Sequence, residues 1–321
     1  MEQIVWGIIG CGDVAEIKSG PSFNLVPHSQ LIAVMRRDAG KAADYAKRHH
    51  VKKWYNDAGA LINDKEVNSI YIATPPASHE EYALASFKAG KPVYVEKPMA
   101  LDSAGCIRML QAADKYSCKL SIAHYRRAQP KYIEIKRLIR ENIIGEIIST
   151  EIKLGQAPIT GMENTWRVKP EISGGGLFHD LAPHQIDLMI YFFGKPVSAE
   201  GYSLNKGKNY DADDFVKGEI EFENGIKCQA EWDLNAKPEN ETDVCEIRGK
   251  LGVIRFAVFG NICELTLNGK TTEMIFDHLP HVQQPMIEQV VNYFLDKGPN
   301  PCPASEAIEV MKIMDKFTIK A

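Results

Sequence analysis

The stretch Ile4–Ala15, which reads IVWGIIGCGDVA, decides the fold of this chain. Its first six residues form an apolar run that is typical of a buried parallel β-strand. The next six fit the pattern G-x-G-x-x-G/A, with Gly10, Gly12 and Ala15 at the three small positions. In this pattern the first glycine permits a tight turn, the second lets a pyrophosphate approach a helix N-terminus, and the third position keeps helix and strand close. Because the motif lies between a predicted strand and a predicted helix, it indicates dinucleotide binding.

Apolar runs and breaker residues divide the chain into two parts. The first 122 residues alternate strand and helix, which predicts an α/β domain with a doubly wound parallel sheet, a Rossmann fold. Its predicted strands are 4–9, 31–35, 69–73, 92–95 and 120–123, and its predicted helices include 79–89 and 102–116. Residues 123–321 predict an α+β domain with a largely antiparallel open sheet. Its predicted helices are 130–140, 180–193, 282–297 and 304–316, with strands at 145–152, 197–204, 216–222, 227–234, 245–248, 253–256 and 263–267.

The end of the second strand bears on the choice of dinucleotide. An Asp or Glu about twenty residues after the glycines binds the ribose of NAD, whereas an arginine there can accommodate the 2′-phosphate of NADP. Here Leu31–Met35 is followed by Arg36, Arg37 and Asp38. Asp38 lies two residues late for the ribose role, and the arginines can donate charge-assisted hydrogen bonds to a phosphate. We therefore expect NADP to be preferred and NAD to remain the alternative.

Composition excludes several classes of partner. The chain has 321 residues, of which 45% are hydrophobic and 25% charged, and its formal net charge is −4. This length predicts two domains, and the absence of a basic excess predicts no nucleic acid and no membrane as partner. The start of the chain leads directly into the first strand, from which we expect no secretion signal. The seven cysteines form no C-x-x-C pair, which predicts free thiols and a cytoplasmic protein.

A second informative stretch is Gly174–His184, which reads GGGLFHDLAPH. The glycines allow a close approach of the backbone to another group, and Asp180 and His184 are four residues apart, a spacing that places them on one face of a helix. Taken alone, the segment also fits a helix that Asp180 caps. Lys97 comes shortly after the predicted strand 92–95, at the edge of the sheet where parallel sheets bind ligands.

Three further motifs complete a resemblance to a known family. Ala73–His79 reads ATPPASH, Glu96–Pro98 reads EKP, and the pair Trp166-Arg167 precedes the glycines. Together with the nucleotide motif and the Asp180/His184 pair, these stretches resemble the family of glucose–fructose oxidoreductase, inositol dehydrogenase and MocA. The resemblance extends over nearly the whole chain.

This resemblance implies hydride transfer between a nicotinamide cofactor and a polyhydroxylated small molecule such as a sugar, an inositol or a cyclic diol. It implies three catalytic residues: Lys97 hydrogen-bonds the reacting oxygen, His184 is the general acid/base, and Asp180 orients the substrate. The implied cofactor-binding residues are Gly10, Cys11, Gly12, Asp13, Val14, Ala15, Arg36, Arg37, Thr74, Pro75, Pro76, His79, Glu96, Lys97, Trp166 and Arg167. The implied substrate-binding residues are Lys97, Arg126, Asp180 and His184. His179 departs from the family pattern, and we expect it to line the substrate pocket or to pack.

Three other functions remain open at this point: a non-catalytic dinucleotide-sensing regulator, an NAD-dependent glycosidase and a trans-dihydrodiol dehydrogenase. His179 with His184 suggests a metal site, but a spacing of five is poor for one helix face, and we predict no metal. We further predict a homodimer or homotetramer, formed through an apolar sheet face around Ile220, Phe222 and Trp232.

Overall fold

The computed structural model describes residues 2–158 and 161–318, without the side chain of residue 163. Contacts divide the chain into two compact units. The first unit comprises residues 1–100, 104–129 and 279–308, and the second comprises residues 101–103, 130–278 and 309 onward.

The first unit contains a six-stranded parallel sheet with the order β3-β2-β1-β4-β5-β6. Its strands are β1 (Ile4–Ile9), β2 (Ser29–Met35), β3 (Lys53–Tyr55), β4 (Ser69–Ile72), β5 (Val93–Val95) and β6 (Leu120–Ile122). Its helices are α1 (Ser22–Leu25), α2 (Ala39–Arg48), α3 (Ala58–Ile62), α4 (His79–Lys88), α5 (Ser103–Lys115) and, after the second unit, α9 (Gln284–Phe294). β1 pairs in parallel with both β2 and β4, so the strand order reverses at β1. The end of β1 is therefore the switch point at which open α/β sheets bind ligands.

The second unit contains an eight-stranded sheet with the order β14-β13-β12-β11-β7-β10-β9-β8. Only β7 and β10 pair in parallel, and the other pairs described are antiparallel. The strands are β7 (Ile147–Gly155), β8 (Pro196–Leu204), β9 (Phe215–Phe222), β10 (Lys227–Asp233), β11 (Thr242–Gly249), β12 (Gly252–Phe256), β13 (Ile262–Leu267) and β14 (Lys270–Ile275). The helices are α6 (Pro130–Arg140), α7 (Pro170–Ser173), α8 (Leu177–Phe193) and α10 (Ala304–Thr318), whose first residues belong to the first unit. The predicted fold class, a Rossmann sheet followed by an α+β domain, is confirmed.

The apolar face of the second sheet is covered within the chain, contrary to the sequence-based expectation. The ring of Trp232 lies 5.1 Å from that of Phe178 on α8 and 6.3 Å from that of Phe317 on α10. Ile220 and Phe222 are fully buried in the same layer. The opposite face of the sheet carries charged residues, among them the ion pair between Lys217 and Glu231. The premise of an exposed apolar sheet face was therefore wrong, and oligomerisation through it loses its argument.

The predicted boundary after residue 122 needs a correction, because residues 279–308 return to the first unit. The Phe294 ring on α9 lies 5.6 Å from the indole of Trp6 on β1, and the Ile122 amide donates to the Cys302 carbonyl at 3.2 Å. The apolar face of α9 thus covers the parallel sheet. In the parts of the chain that the structure describes, no helix is long and apolar enough to cross a membrane.

Candidate active site

The glycine turn after β1 needs its two glycines for different reasons. Gly10 has a φ of +97°, and a Cβ atom there would lie 2.7 Å from the Thr74 amide nitrogen. Gly12 is different, because a Cβ atom there would meet nothing within 4 Å. The fold itself thus requires Gly10, whereas the open space at Gly12 is a cradle that a side chain would fill. That space fits the pyrophosphate of a dinucleotide.

The helix that follows the turn is a short π-helix, Val14–Lys18, with Asp13 at its N-cap. Ala15 is fully buried, and its carbonyl oxygen accepts a hydrogen bond from the Tyr45 hydroxyl at 2.9 Å. The turn is also fixed to β2, because the amides of Gly10 and Cys11 both donate to the Met35 carbonyl. The predicted fingerprint residues therefore form one locally rigid segment.

The residues after β2 divide into a helix cap and two arginines. The Asp38 carboxylate accepts a hydrogen bond from the Lys41 amide at 3.0 Å and so caps α2. Arg36 is half-buried, and its Nη1 donates to the Cys11 carbonyl oxygen at 3.4 Å, which holds it near the glycine turn. Arg37 is exposed. The acid at this strand end thus has a structural partner, while the two arginines lie beside the nucleotide motif.

His79 joins two of the predicted cofactor segments. Its imidazole is fully buried, with Nε2 2.7 Å from the Thr74 carbonyl oxygen and Nδ1 3.0 Å from the Pro98 carbonyl oxygen. Burial lowers its pKa to about 4, so the ring is neutral at physiological pH and donates through one nitrogen at a time. The His79 ring therefore lies between the Thr74–Pro76 loop and Pro98. The peptide bond between Lys97 and Pro98 is cis.

Glu96 lies inside the first unit and not on its surface. Its Oε1 accepts hydrogen bonds from the Tyr71 hydroxyl and, at 2.6 Å, from Nε2 of Gln283. The Tyr71 hydroxyl also lies 3.1 Å from Oγ of Ser19, which ends the π-helix. Burial raises the pKa of the Glu96 carboxyl. We infer that Glu96 positions Lys97. Tyr71 and Gln283 were not predicted as partners of Glu96, because each lies in an element that resembles ordinary core.

In the second unit, α8 begins earlier than predicted. Gly176 is its N-cap residue and the helix starts at Leu177, so Asp180 is not the cap but a residue of the first turn. The amide of Gly176 donates to Oγ of Ser173 at 2.8 Å, which fixes the glycine turn. Asp180 and His184 lie four residues apart within the helix and share a face, as predicted.

The three glycines approach the chain's own side chains and backbone. A Cβ atom on Gly175 would lie 2.3 Å from the imidazole of His179, and one on Gly176 would lie 2.4 Å from Cβ of Ala212. The His179 ring is buried, and burial lowers its pKa to about 4. This geometry supports packing against the glycine turn, one of the two roles expected for His179.

Polar and aromatic groups accompany Asp180 and His184. Oδ2 of Asp180 lies 3.4 Å from Nε of Arg167, whose guanidinium lies 4.8 Å from the Trp166 ring centre. His184 is buried, and its ring meets the exposed ring of Phe259 edge to face, with centroids 6.0 Å apart. Phe259 was not predicted, because nothing in its local sequence distinguishes it from other apolar residues between two strands.

The predicted site residues thus form two groups, one in each unit. The first unit holds Gly10–Ala15, Arg36, Arg37, Thr74–Pro76, His79, Glu96, Lys97 and Arg126, and the second holds Trp166, Arg167, His179, Asp180 and His184. Within residues 2–158 and 161–318, no group of three or more His, Cys, Asp or Glu residues has the geometry to hold a metal ion.

Comparisons with known proteins agree with this architecture. A family model described as an oxidoreductase family with an NAD-binding Rossmann fold matches residues 4–124, and one described as a GFO/IDH/MocA C-terminal domain matches residues 132–255. Oxidoreductase P35 of Formosa agariphila is 44% identical over 319 residues, which cover 98% of both chains. Trans-1,2-dihydrobenzene-1,2-diol dehydrogenase of Xenopus laevis is 28% identical over 288 residues, 88% of this chain and 83% of its own. A levoglucosan dehydrogenase solved with NADH and levoglucosan has a TM-score of 0.87 at 21% identity, and the match covers 98% of this chain and 96% of that one.

The two glycines of the turn should respond differently to substitution by alanine. Gly12→Ala should keep the unfolding free energy close to that of the parent chain and weaken NADPH and NADH binding at least tenfold, because its Cβ fills only ligand space. Gly10→Ala should also lower the unfolding free energy, because the φ of +97° and the contact with Thr74 both resist a side chain. Urea unfolding and fluorescence titration measure the two effects. Gly298→Ala is the control, since its Cβ would find ordinary contact only. Unchanged nucleotide affinity in Gly12→Ala would contradict the assignment.

The pH dependence of stability should change when Glu96 loses its charge. Because burial raises the folded-state pKa of this carboxyl, its stabilising contribution is complete below about pH 4.5 and is lost as pH rises through the folded pKa. Glu96→Gln removes this titration, so the parent chain should lose stability relative to the variant between pH 5 and pH 8. Urea unfolding at both pH values measures the difference. Glu288→Gln, on the exposed side of α9, is the control, and parallel pH profiles for all three proteins would refute the prediction.

Proposed function

The chain belongs to the GFO/IDH/MocA oxidoreductase family, and on this premise we propose that it transfers a hydride between nicotinamide C4 and a polyhydroxylated substrate. Family and nucleotide-binding fold make it an NAD(P)-dependent dehydrogenase. The proposed substrate is a sugar, an inositol or a related cyclic diol. The observation that carries the proposal is the pair Asp180 and His184 on one face of α8, in a chain whose glycine turn leaves room for a pyrophosphate.

His184 is the proposed general acid/base. When the substrate is an alcohol, the imidazole takes the hydroxyl proton while the C–H bond breaks and its hydride leaves; in the reverse direction it returns that proton to the oxygen. Imidazole suits this role because its ordinary pKa is close to neutral pH. The bound dinucleotide supplies the acceptor or donor of the hydride.

Lys97 and Asp180 have complementary proposed roles. The Lys97 ammonium donates a hydrogen bond to the reacting oxygen and stabilises the negative charge that develops there. The Asp180 carboxylate accepts a hydrogen bond from a neighbouring hydroxyl group, which selects substrates with at least two hydroxyl groups close together. The ion pair of Asp180 with Arg167 orients this carboxylate.

The names of similar proteins support a cyclic substrate. Levoglucosan is a cyclic sugar derivative, and trans-1,2-dihydrobenzene-1,2-diol carries two hydroxyl groups on neighbouring ring carbons. Inositol 2-dehydrogenase 2 of Saccharopolyspora erythraea, another relative at 27% identity over 72% of this chain, is named for a hexahydroxy ring. Neighbouring hydroxyl groups on a ring are the common chemical feature of these three names.

NADP is the proposed preferred cofactor. Asp38 caps α2 through the Lys41 amide, which reserves its carboxylate for the helix. Arg36 lies beside the glycine turn and Arg37 follows it, and both can donate hydrogen bonds to a 2′-phosphate. NAD is the alternative, since the similar levoglucosan dehydrogenase was solved with NADH.

Replacement of both arginines should separate the two dinucleotides. Arg36→Ala/Arg37→Ala should weaken NADPH binding about ten- to a hundredfold, because charge-assisted contacts to the phosphate are lost, and should affect NADH much less. Fluorescence titration of both nucleotides measures the effect. Lys47→Ala/Lys88→Ala removes two exposed positive charges elsewhere on the same unit and is the control. Equal affinity of the parent chain for NADPH and NADH would overturn the preference.

Loss of the proposed catalytic groups should separate turnover from nucleotide binding. His184→Ala should lower kcat about a hundred- to ten-thousandfold and leave NADPH affinity within twofold, because the nucleotide motif lies in the other unit. Lys97→Ala should cost a similar factor in kcat. Absorbance of the reduced nicotinamide, with levoglucosan, myo-inositol and trans-1,2-dihydrobenzene-1,2-diol as substrates, measures turnover. His278→Ala, an exposed histidine, is the control.

The outcomes distinguish the competing functions. Full activity in both variants would remove the catalytic assignment. Tight NADPH binding without turnover of any substrate in the parent chain would favour a dinucleotide-sensing regulator instead. Release of a sugar without net reduction of the nucleotide would favour a glycosidase.

A further inference from the structure

The loop Ala257–Asn261, between β12 and β13, presents an aromatic ring to solvent on a fixed backbone. Its ring-bearing residue, Phe259, is 43% exposed. Exposed apolar side chains that stand alone are common in proteins. Phe259 is distinguished by the side chains that hydrogen-bond to the backbone of its loop.

The first of these contacts comes from a buried lysine. Lys131, at the start of α6, is only 4% exposed, and its Nζ donates hydrogen bonds of 2.6 Å to the carbonyl oxygens of both Ala257 and Gly260. The same ammonium lies 4.7 Å from the ring centre of Tyr132. Burying a charged group is costly unless hydrogen bonds satisfy it, and these two carbonyl oxygens contribute to that requirement while they hold both ends of the loop.

Two further side chains fix the middle of the loop. The Tyr132 hydroxyl donates to the Val258 carbonyl oxygen at 2.6 Å. The Asp243 carboxylate on β11 accepts hydrogen bonds from the amides of Val258 at 2.9 Å and Phe259 at 2.6 Å. Five hydrogen bonds from three side chains therefore determine the backbone on both sides of the Phe259 ring.

The ring held in this way lies against the proposed acid/base. Its centroid is 6.0 Å from that of the His184 imidazole, with the two planes at 84°. His184 is almost fully buried, whereas nearly half of Phe259 remains accessible to another molecule. A partly accessible aromatic ring therefore lies next to the residue at which the proton transfer is proposed to occur.

We propose that Phe259 is a specificity-determining residue of the proposed reaction: its ring forms an apolar wall beside His184, on which the C–H face of a cyclic hydroxylated substrate packs. The inference rests on the proposed role of His184. Aromatic faces carry negative charge density and attract the positive ends of C–H bonds, and small-molecule sites combine such apolar walls with a few placed polar groups. A ring substrate presents a flat C–H face, whereas an acyclic polyol must lose rotational freedom to present one.

The test compares a ring with an open chain of similar hydroxyl content. Phe259→Ala should raise KM for levoglucosan or myo-inositol, whichever the parent chain oxidises, about tenfold with kcat changed less than threefold. KM for D-sorbitol should change less than threefold. Phe259→Tyr, which keeps the ring, should restore the parent values, and Phe259→Leu, which keeps apolar volume without a ring, should not. Ile275→Ala removes another exposed apolar side chain, on β14, and is the control.

Each other outcome overturns the inference in a recognisable way. An equal loss of kcat for ring and open-chain substrates would make Phe259 a positioning residue for His184 and not a specificity determinant. Unchanged kinetics in both Phe259→Ala and Phe259→Leu would show that no substrate packs on the ring. Should Phe259→Ala fail to fold, the contrast between Phe259→Leu and Phe259→Tyr still decides. Failure of the proposed function would be seen in separate measurements. Either His184→Ala would keep full activity, or calorimetry would detect no binding of levoglucosan, myo-inositol or D-sorbitol to the NADPH-loaded parent chain. Either result would remove this inference too.

Discussion

The hydrogen-bonded carboxyl of Glu96 is the constraint on which the first unit depends. It brings together the Tyr71 hydroxyl of β4 and the Gln283 amide from the segment that returns after the second unit. Gln283 also donates its backbone amide to the Lys18 carbonyl, so the end of the π-helix is held by the same residue. One buried acid therefore connects the glycine turn, the end of β5 and the returning chain. Because Lys97 is its immediate neighbour, the position of the proposed catalytic ammonium depends on all of them.

The second unit also contains a buried ionisable group that hydrogen bonds satisfy, the ammonium of Lys131. Lys131 satisfies its ammonium with carbonyl oxygens of the Ala257–Asn261 loop, as Glu96 satisfies its carboxyl with a hydroxyl and an amide. In both cases a group that is costly to bury is tolerated only when a particular loop or segment closes over it. Such groups contribute little net stability compared with apolar packing, but they exclude other conformations of the segments that carry Lys97 and Phe259.

The sequence predicted those parts of the structure that local pattern determines. The glycine motif, the parallel alternation and the shared face of Asp180 and His184 all follow from spacing, and the first two are present as expected. Sequence-based prediction failed where contacts between distant parts of the chain determine the structure. Periodicity placed Phe222 and Trp232 on one apolar sheet face, but it did not show that α8 and α10 of the same chain cover that face. It showed three glycines before α8, but not that Gly175 makes room for His179. The return of residues 279–308 to the first unit was likewise hidden, because a helix sequence does not state which sheet it packs on.

These limits explain why the reaction class is easier to assign than the substrate. The groups that recognise a dinucleotide are backbone atoms and small residues in a short motif, so they leave a clear mark in the sequence. The groups proposed to recognise the substrate come from α8 and from a loop between β12 and β13, and the side chains that fix this loop, Lys131, Tyr132 and Asp243, lie on other elements. Substitutions at such loop positions can change which ring is accepted while the sheet, the glycine turn and α8 stay the same. The TM-score of 0.87 with levoglucosan dehydrogenase at only 21% identity shows that this fold is kept while most of the sequence differs.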